Sequence, residues 1–187
     1  ASLLINCLKE KNIDNYNLLG HSMGGMIAQQ MAQISGEKIS KLVCYSTGPI
    51  GEMPGRFETI AQSRAKLKKN GLQATALRIA KTWFTEKEKA KYFHLCSDAI
   101  NSTSFEATDN ALIAMKKWNG LKNLKALKNK TLIIWGNQDR SYSFNQVDLL
   151  NKNIKNSELK IFKGCSHNIH LEKPDDFNQA IEEFIKK

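Results

Sequence analysis

The sequence predicts an α/β fold of about four parallel strands flanked by helices, with a helical insertion. Three observations carry that prediction. Short apolar runs alternate with longer stretches at helical spacing, which is the pattern of βαβ units. A serine flanked by glycines, Ser22 in "NLLGHSMGGMIAQQ", joins the first apolar run to a helical one. From residue 50 to residue 124 no strand pattern occurs, so a helical block separates the second strand from the third.

Each element has its own signal. Residues 2–11 read as an amphipathic helix with Leu3, Leu4, Cys7 and Leu8 on one face. "YNLLG", residues 16–20, reads as a short buried strand. A helix from Met23 to about Gln33 follows, with Met26, Ile27, Gln30, Met31 and Ile34 near one side and Gly36 as a stop. "KLVCYST" (41–47) is the second strand, and "GPIGEMPG" (48–55) is a loop by composition. Helices are predicted over 57–70 and 72–84, with Gly71 between them. T-x-x-E capping boxes at Thr85/Glu88 and Thr103/Glu106 predict two more, the second reaching Trp118 before Asn119-Gly120 breaks it. The sheet pattern returns at "KTLIIWG" (Lys130–Gly136). A helix over 143–153, a strand at "ELKIFKG" (158–164) and a last helix opened by Pro174 complete the chain. The division expected is a sheet-bearing core over 1–49 and 125–187, with a helical cap over 50–124.

The chain has 187 residues, 41% of them hydrophobic and 25% charged, which suits one globular domain with a sizeable core and argues against disorder. No apolar run approaches the length of a membrane span. The first residues lack the basic leader of a signal peptide. Cys7, Cys44, Cys96 and Cys165 are widely spaced without a C-x-x-C pair, so they read as free thiols and not as a zinc site. A cytoplasmic location is therefore expected, with no membrane partner. The formal net charge is +10, and residues 56–91 hold ten Lys/Arg against three Glu. Those charges sit at helical spacing among apolar residues, so they read as a solvated helix face. No nucleic-acid module is recognisable, and no nucleic-acid partner is expected.

The chemistry-bearing segment is Gly20-His21-Ser22-Met23-Gly24. A serine hydroxyl is a weak nucleophile until a base removes its proton. A G-x-S-x-G turn between strand and helix exposes that hydroxyl and aims helix amides at developing negative charge. A phosphate-binding turn is the alternative for a glycine-rich strand-to-helix connection, but neither the P-loop nor the dinucleotide spacing is present. Asp139 in "WGNQD" follows an apolar strand, and His167 in "KGCSHNIHLEKPDDF" follows the last one. Both would stand at the carboxyl edge of the sheet, in the chain order Ser, Asp, His. His170 rivals His167 as the base, and Asp148 rivals Asp139 as the acid, although Asp148 falls inside a helical pattern. His21 reads as a local packing or hydrogen-bonding residue, Glu172 as an anchor for the last loop, Cys165 as a small buried thiol and His94 as a residue of the helical block. Trp83, Phe84, Met115 and Trp118 are spaced as core residues of that block, some of them lining an acyl pocket.

With "GHSMGG", "TLIIWGNQD" and "GCSHNIHLEKPDDFNQAIEEFI" together, the chain resembles the α/β-hydrolase family. The resemblance implies a serine hydrolase acting on an ester, thioester or activated C–C bond of a small acyl substrate. Ser22 would be the nucleophile, His167 the base and Asp139 its orienter. The Met23 amide would be an oxyanion donor, with Gly20 and Gly24 shaping the elbow. No metal or other cofactor is implied. The family has four strands before its elbow, including one followed by an oxyanion loop, and none of these falls within the sequence. The resemblance therefore implies a sheet whose first strand is an open edge, one oxyanion donor fewer, and an alternative role as an impaired fragment that self-associates through that edge.

Overall fold

The computed structural model describes residues 1–52 and 54–187; Met53, inside the predicted loop, lies outside the described residues. Four parallel strands form one sheet in the order β1 (Tyr16–His21), β2 (Ile39–Tyr45), β3 (Lys130–Gly136) and β4 (Ser157–Phe162). Parallel neighbours need crossovers, and helices supply them. Around the sheet run α1 (Ser2–Glu10), α2 (Met23–Ser35), α6 (Phe144–Asn153) and α8 (Pro174–Lys186). Between β2 and β3 lie α3 (Ile60–Lys81), α4 (Phe93–Ile100) and α5 (Phe105–Lys117). The one-turn helix α7 (Ile169–Glu172) follows β4. Among the described residues no helix is long and apolar enough to cross a membrane.

Side-chain alternation on the strands builds two cores. Leu42, Cys44, Ile133 and Trp135 point to one face, where they meet Ala28 and Met31 of α2 and Val147 and Leu150 of α6. Val43, Tyr45, Leu132 and Ile134 point to the other face, against Phe177, Ala180 and Phe184 of α8. Period-two alternation of this kind covers both faces of β2 and β3, as a parallel sheet requires. Each fully buried aliphatic side chain contributes roughly 1.5–3 kcal/mol.

The edge strand behaves differently. β1 alternates between half-buried and exposed over Tyr16–Leu19, with Leu19 at 43% exposure, so the expectation of a buried strand is corrected. The predicted face of α1 is also corrected. Ile5 and Leu8 reach the core, while Leu3 (82% exposed), Leu4 and Cys7 face solvent. On α2, Ala28, Gln29 and Ala32 join Met26 and Met31 in the interior and Ile34 points outward.

In the helical block, Gly71, at φ 79° and ψ 173°, breaks α3 into the two helices predicted on either side of it. It starts at a capping box formed by Thr59 and Gln62. The boxes expected at Thr85 and Thr103 are not formed. Ser104 caps α5 instead, and α4 starts without a side-chain cap. The Thr85 amide and hydroxyl both donate to Glu172, at 2.7 and 2.8 Å. A tertiary carboxylate thus outcompeted the local one. Several of the basic residues are not free charges on a solvated face, Arg64 among them, which donates to Asp109. Lys66 and Arg78 each reach the buried Glu58 carboxylate at 2.7 Å, and Arg56 donates to the Glu58 carbonyl. Burial pushes Glu58 up, but the hydrogen bonds from Arg78, Lys66 and Ser63 outweigh it and hold the carboxyl at about 2.

Candidate active site

The strand-to-helix turn is sharp because the backbone makes it so. Ser22 stands between β1 and α2 at φ 54° and ψ −121°, a strained left-handed conformation for a residue with a Cβ. Its amide donates to the Tyr45 carbonyl at 2.9 Å, and its carbonyl accepts the Thr47 hydroxyl at 2.7 Å. The turn is therefore held from β2 on both sides. Met23 opens α2, where the first amides of a helix have no intrahelical acceptor.

Two glycines let strand and helix meet, and one of them is not the glycine the pentapeptide suggests. A Cβ on Gly20 would stand 2.3 Å from the Gly24 carbonyl oxygen, and one on Gly25 would stand 2.5 Å from the Thr47 side chain. A Cβ on Gly24 would meet nothing within 4 Å, so the clash-avoiding role expected for Gly24 belongs to Gly25.

Asp139 and His167 come together at the carboxyl edge. His167 Nδ1 lies 2.9 Å from Asp139 Oδ2, and both side chains are buried. The other carboxylate oxygen, Oδ1, accepts the Ser141 and Tyr142 amides at 2.7 and 3.1 Å, which fixes the plane of the carboxylate. Gly136 admits the histidine loop, since a Cβ there would meet the Ser166 and Cys165 carbonyls at 2.3 and 2.4 Å. Asp148 pairs with Lys152 on α6 instead. Glu172 anchors the loop: its other oxygen accepts the Ser166 amide at 2.6 Å. Cys165 is fully buried, and His94 lies exposed on α4 with its ring against the Lys91 carbonyl.

Sequence reasoning missed the layer that holds His167. The Tyr45 hydroxyl lies 2.9 Å from the His167 carbonyl, and His21 Nε2 lies 3.1 Å from the same oxygen. A carbonyl only accepts, so both groups donate, and Nε2 carries the proton of His21. Tyr45 has then spent its only proton, so His170 Nδ1, 3.0 Å from the phenol oxygen, is a donor too. His170 is thereby turned to Tyr45, while His167 is turned to Asp139. His21 is bound to a residue 146 positions away, not to a local partner. Only the place of Tyr45 at the end of an inward-facing strand run could have hinted at this role.

Burial, then the charges that His167 and His170 would carry, hold His21 at about 2, so it is neutral in the folded protein. An unfolded histidine titrates near 6.5. The stabilisation that comes with a neutral His21 is complete above that pH. It is lost progressively as the pH falls from 6.5 toward 2, because the unfolded chain takes up the proton first. Denaturant unfolding between pH 7 and pH 4 is expected to show stability falling by up to about 1.4 kcal/mol per pH unit for this group. His21→Gln, which retains a donor, is expected to flatten that slope.

Starting at Met23, α2 and α5 line an open apolar groove of about 520 Å³. Met23, Met26, Ile27, Ala111, Met115 and Trp118 are among its lining residues. Met115 and Trp118 are thus at the groove. Trp83 lies instead beside His167, with ring centroids 5.9 Å apart, and Phe84 is buried against Phe93.

A model of the α/β hydrolase fold matches residues 2–174. The chain belongs to the α/β-hydrolase fold family. Within it, the chain is 28% identical over 179 residues to the AB hydrolase superfamily protein YisY of Bacillus subtilis, covering 92% of this chain and 67% of that protein. It is 25% identical over 201 residues to monoacylglycerol lipase ABHD6 of Bos taurus, covering 97% of this chain and 57% of the relative. Among solved α/β-hydrolase folds, an esterase from Exiguobacterium antarcticum superposes with a TM-score of 0.91 at 21% identity, over 100% of this chain and 72% of that one. An enol-lactonase from Burkholderia xenovorans gives 0.86 at 20% identity, over 98% and 70%. The chain spans 57–68% of the length of such curated α/β-hydrolase relatives.

Proposed function

We propose that this chain carries the acyl-transfer machinery of a serine hydrolase. Ser22 attacks the carbonyl of an ester, thioester or activated C–C substrate. His167 takes the serine proton at Nε2 and returns it to the leaving group. Asp139 holds the imidazole in the tautomer that leaves Nε2 unprotonated and then stabilises the imidazolium. The Met23 amide, at the positive end of α2, donates to the oxygen on which negative charge builds. Water then cleaves the acyl-enzyme through the same histidine.

The observation that carries the reading is the coincidence of a strained Ser22 at a helix N-terminus with a buried His167–Asp139 pair on the same sheet edge. The apolar groove beside Met23 suits a hydrocarbon acyl or alcohol chain. Relatives named as a lipase and as a 2-hydroxy-6-oxononadienedioate hydrolase, and a fold neighbour named as an esterase, support a small acyl substrate. A 28-to-18 excess of basic over acidic side chains adds nothing to this chemistry, and most of it lies outside the groove.

A fluorophosphonate probe tests the proposal. Covalent labelling of the chain, abolished in Ser22→Ala and accompanied by p-nitrophenyl acetate turnover, is the expected result. A chain that neither labels nor turns over the ester overturns it.

A further inference from the structure

Tyr142 is a buried polar side chain near Ser22 that the proposed acyl-transfer chemistry does not use. It lies three residues beyond Asp139 and is 1% exposed. Its ring stacks on the His167 ring, with centroids 5.7 Å apart and planes 8° from parallel. It also packs on Met26, with Met23, Met115 and Trp118 around it, and these four residues line the apolar groove.

Its hydroxyl lies by the Ser22 and Thr47 side chains. Burial pushes the phenol well up, so it keeps its proton across the working range, while the nearby Ser22 and Thr47 hydroxyls pull the other way. Neither of them holds it in a hydrogen bond of good geometry, and the oxygen has no partner among the described residues. The Thr47 proton is committed to the Ser22 carbonyl, and the Ser22 proton is needed by His167. A buried phenol without a partner is costly, typically about 1–3 kcal/mol, and a phenylalanine of the same shape would not incur that cost. A donor that is desolvated, unspent and adjacent to the nucleophile has the properties of a group awaiting a substrate oxygen.

We propose that Tyr142 is a catalytic residue whose hydroxyl donates a hydrogen bond to the acyl oxygen of the substrate as Ser22 adds to the carbonyl carbon. The proton stays on the phenol throughout, so the step needs no further acid or base. Tyr142 adds a side-chain donor to the Met23 amide. The acyl chain lies along Met26 and Met115, which pack against Tyr142, with its carbonyl against the phenol. The inference rests on Ser22 being the nucleophile.

Tyr142→Phe tests it, because this change removes the oxygen and keeps the ring stack and the apolar packing. The probe is the same fluorophosphonate, whose phosphoryl oxygen occupies the place of the acyl oxygen. Two results are expected together. The thermal midpoint stays level or rises, because an unpartnered buried hydroxyl is gone. The second-order labelling rate falls by roughly ten- to a hundredfold, the scale of a lost oxyanion donor. A clear fall in the midpoint would mean that the hydroxyl is a satisfied structural group, and would overturn the proposal. A labelling rate within twofold of the parent, in a parent that labels, overturns the role of Tyr142 alone. A parent chain that does not label overturns the serine reading and this inference with it.

Discussion

Asparagine in place of Asp139 is expected to slow acylation of Ser22 by about ten-thousandfold while leaving the thermal midpoint close to that of the parent. The geometry sets the direction. Oδ1 accepts two backbone amides, from Ser141 and Tyr142, so the oxygen of an asparagine would be held on that side. Its NH₂ group would then face His167 Nδ1, 2.9 Å away, where the carboxylate now accepts. Two donors cannot share one hydrogen bond, so Nδ1 must give up its proton and Nε2 must carry it. A histidine protonated at Nε2 cannot take the proton of Ser22, and a wrong tautomer of this kind costs on the order of ten-thousandfold in serine hydrolases. The measurement is the second-order rate of fluorophosphonate labelling, beside a thermal melt. A rate within threefold of the parent would place the acid elsewhere.

The second large effect concerns the glycines of the turn, which should not respond alike to alanine. Gly20→Ala forces a methyl group into the Gly24 carbonyl, and neither backbone can move without unwinding the start of α2. Overpacking typically costs about 1–3 kcal/mol, and contact with main chain puts this site at or beyond the upper end. Gly25→Ala drives into Thr47, whose hydroxyl braces the Ser22 carbonyl, so labelling is expected to fall along with stability. Gly24→Ala meets open space inside a helix, and there alanine is favoured by roughly 0.5–1 kcal/mol. Urea denaturation of the three variants checks the order. A Gly24→Ala protein less stable than Gly20→Ala would contradict the geometry.

Much of this molecule was legible in its sequence, for a physical reason in each case. The strands at Lys130–Gly136 and around Leu42 are continuous apolar runs because both faces of the sheet are covered there. The serine, the aspartate and the histidine each follow a strand, so their place at one edge is a matter of chain order. What failed were competitions between local and distant partners. Thr85 looked like a helix cap, but Glu172 offered a carboxylate from the other end of the chain. Lys66 and Arg78 looked like free surface charges, but both pair with the buried Glu58 carboxylate. The second glycine of G-x-S-x-G looked like the close-contact glycine, but helix geometry turns Gly25, not Gly24, toward β2. The brace of Tyr45 and His21 on the His167 carbonyl is invisible to any pattern, because it joins backbone to side chains across more than a hundred residues.

The attachment of the helical block has a consequence for traffic. After α3 the chain is sewn to the histidine loop at three points: the Trp83 carbonyl accepts the Asn168 amide at 3.0 Å, the Thr82 carbonyl accepts the Ser166 hydroxyl at 3.2 Å, and Thr85 binds Glu172. That seam makes a poor doorway, since parting it would drag the Ser166–Asn168 segment, and His167 with it, away from Asp139. For the proposed acyl transfer, the route that leaves this seam intact is the groove between α5 and α2, lined by Met23, Met26 and Met115.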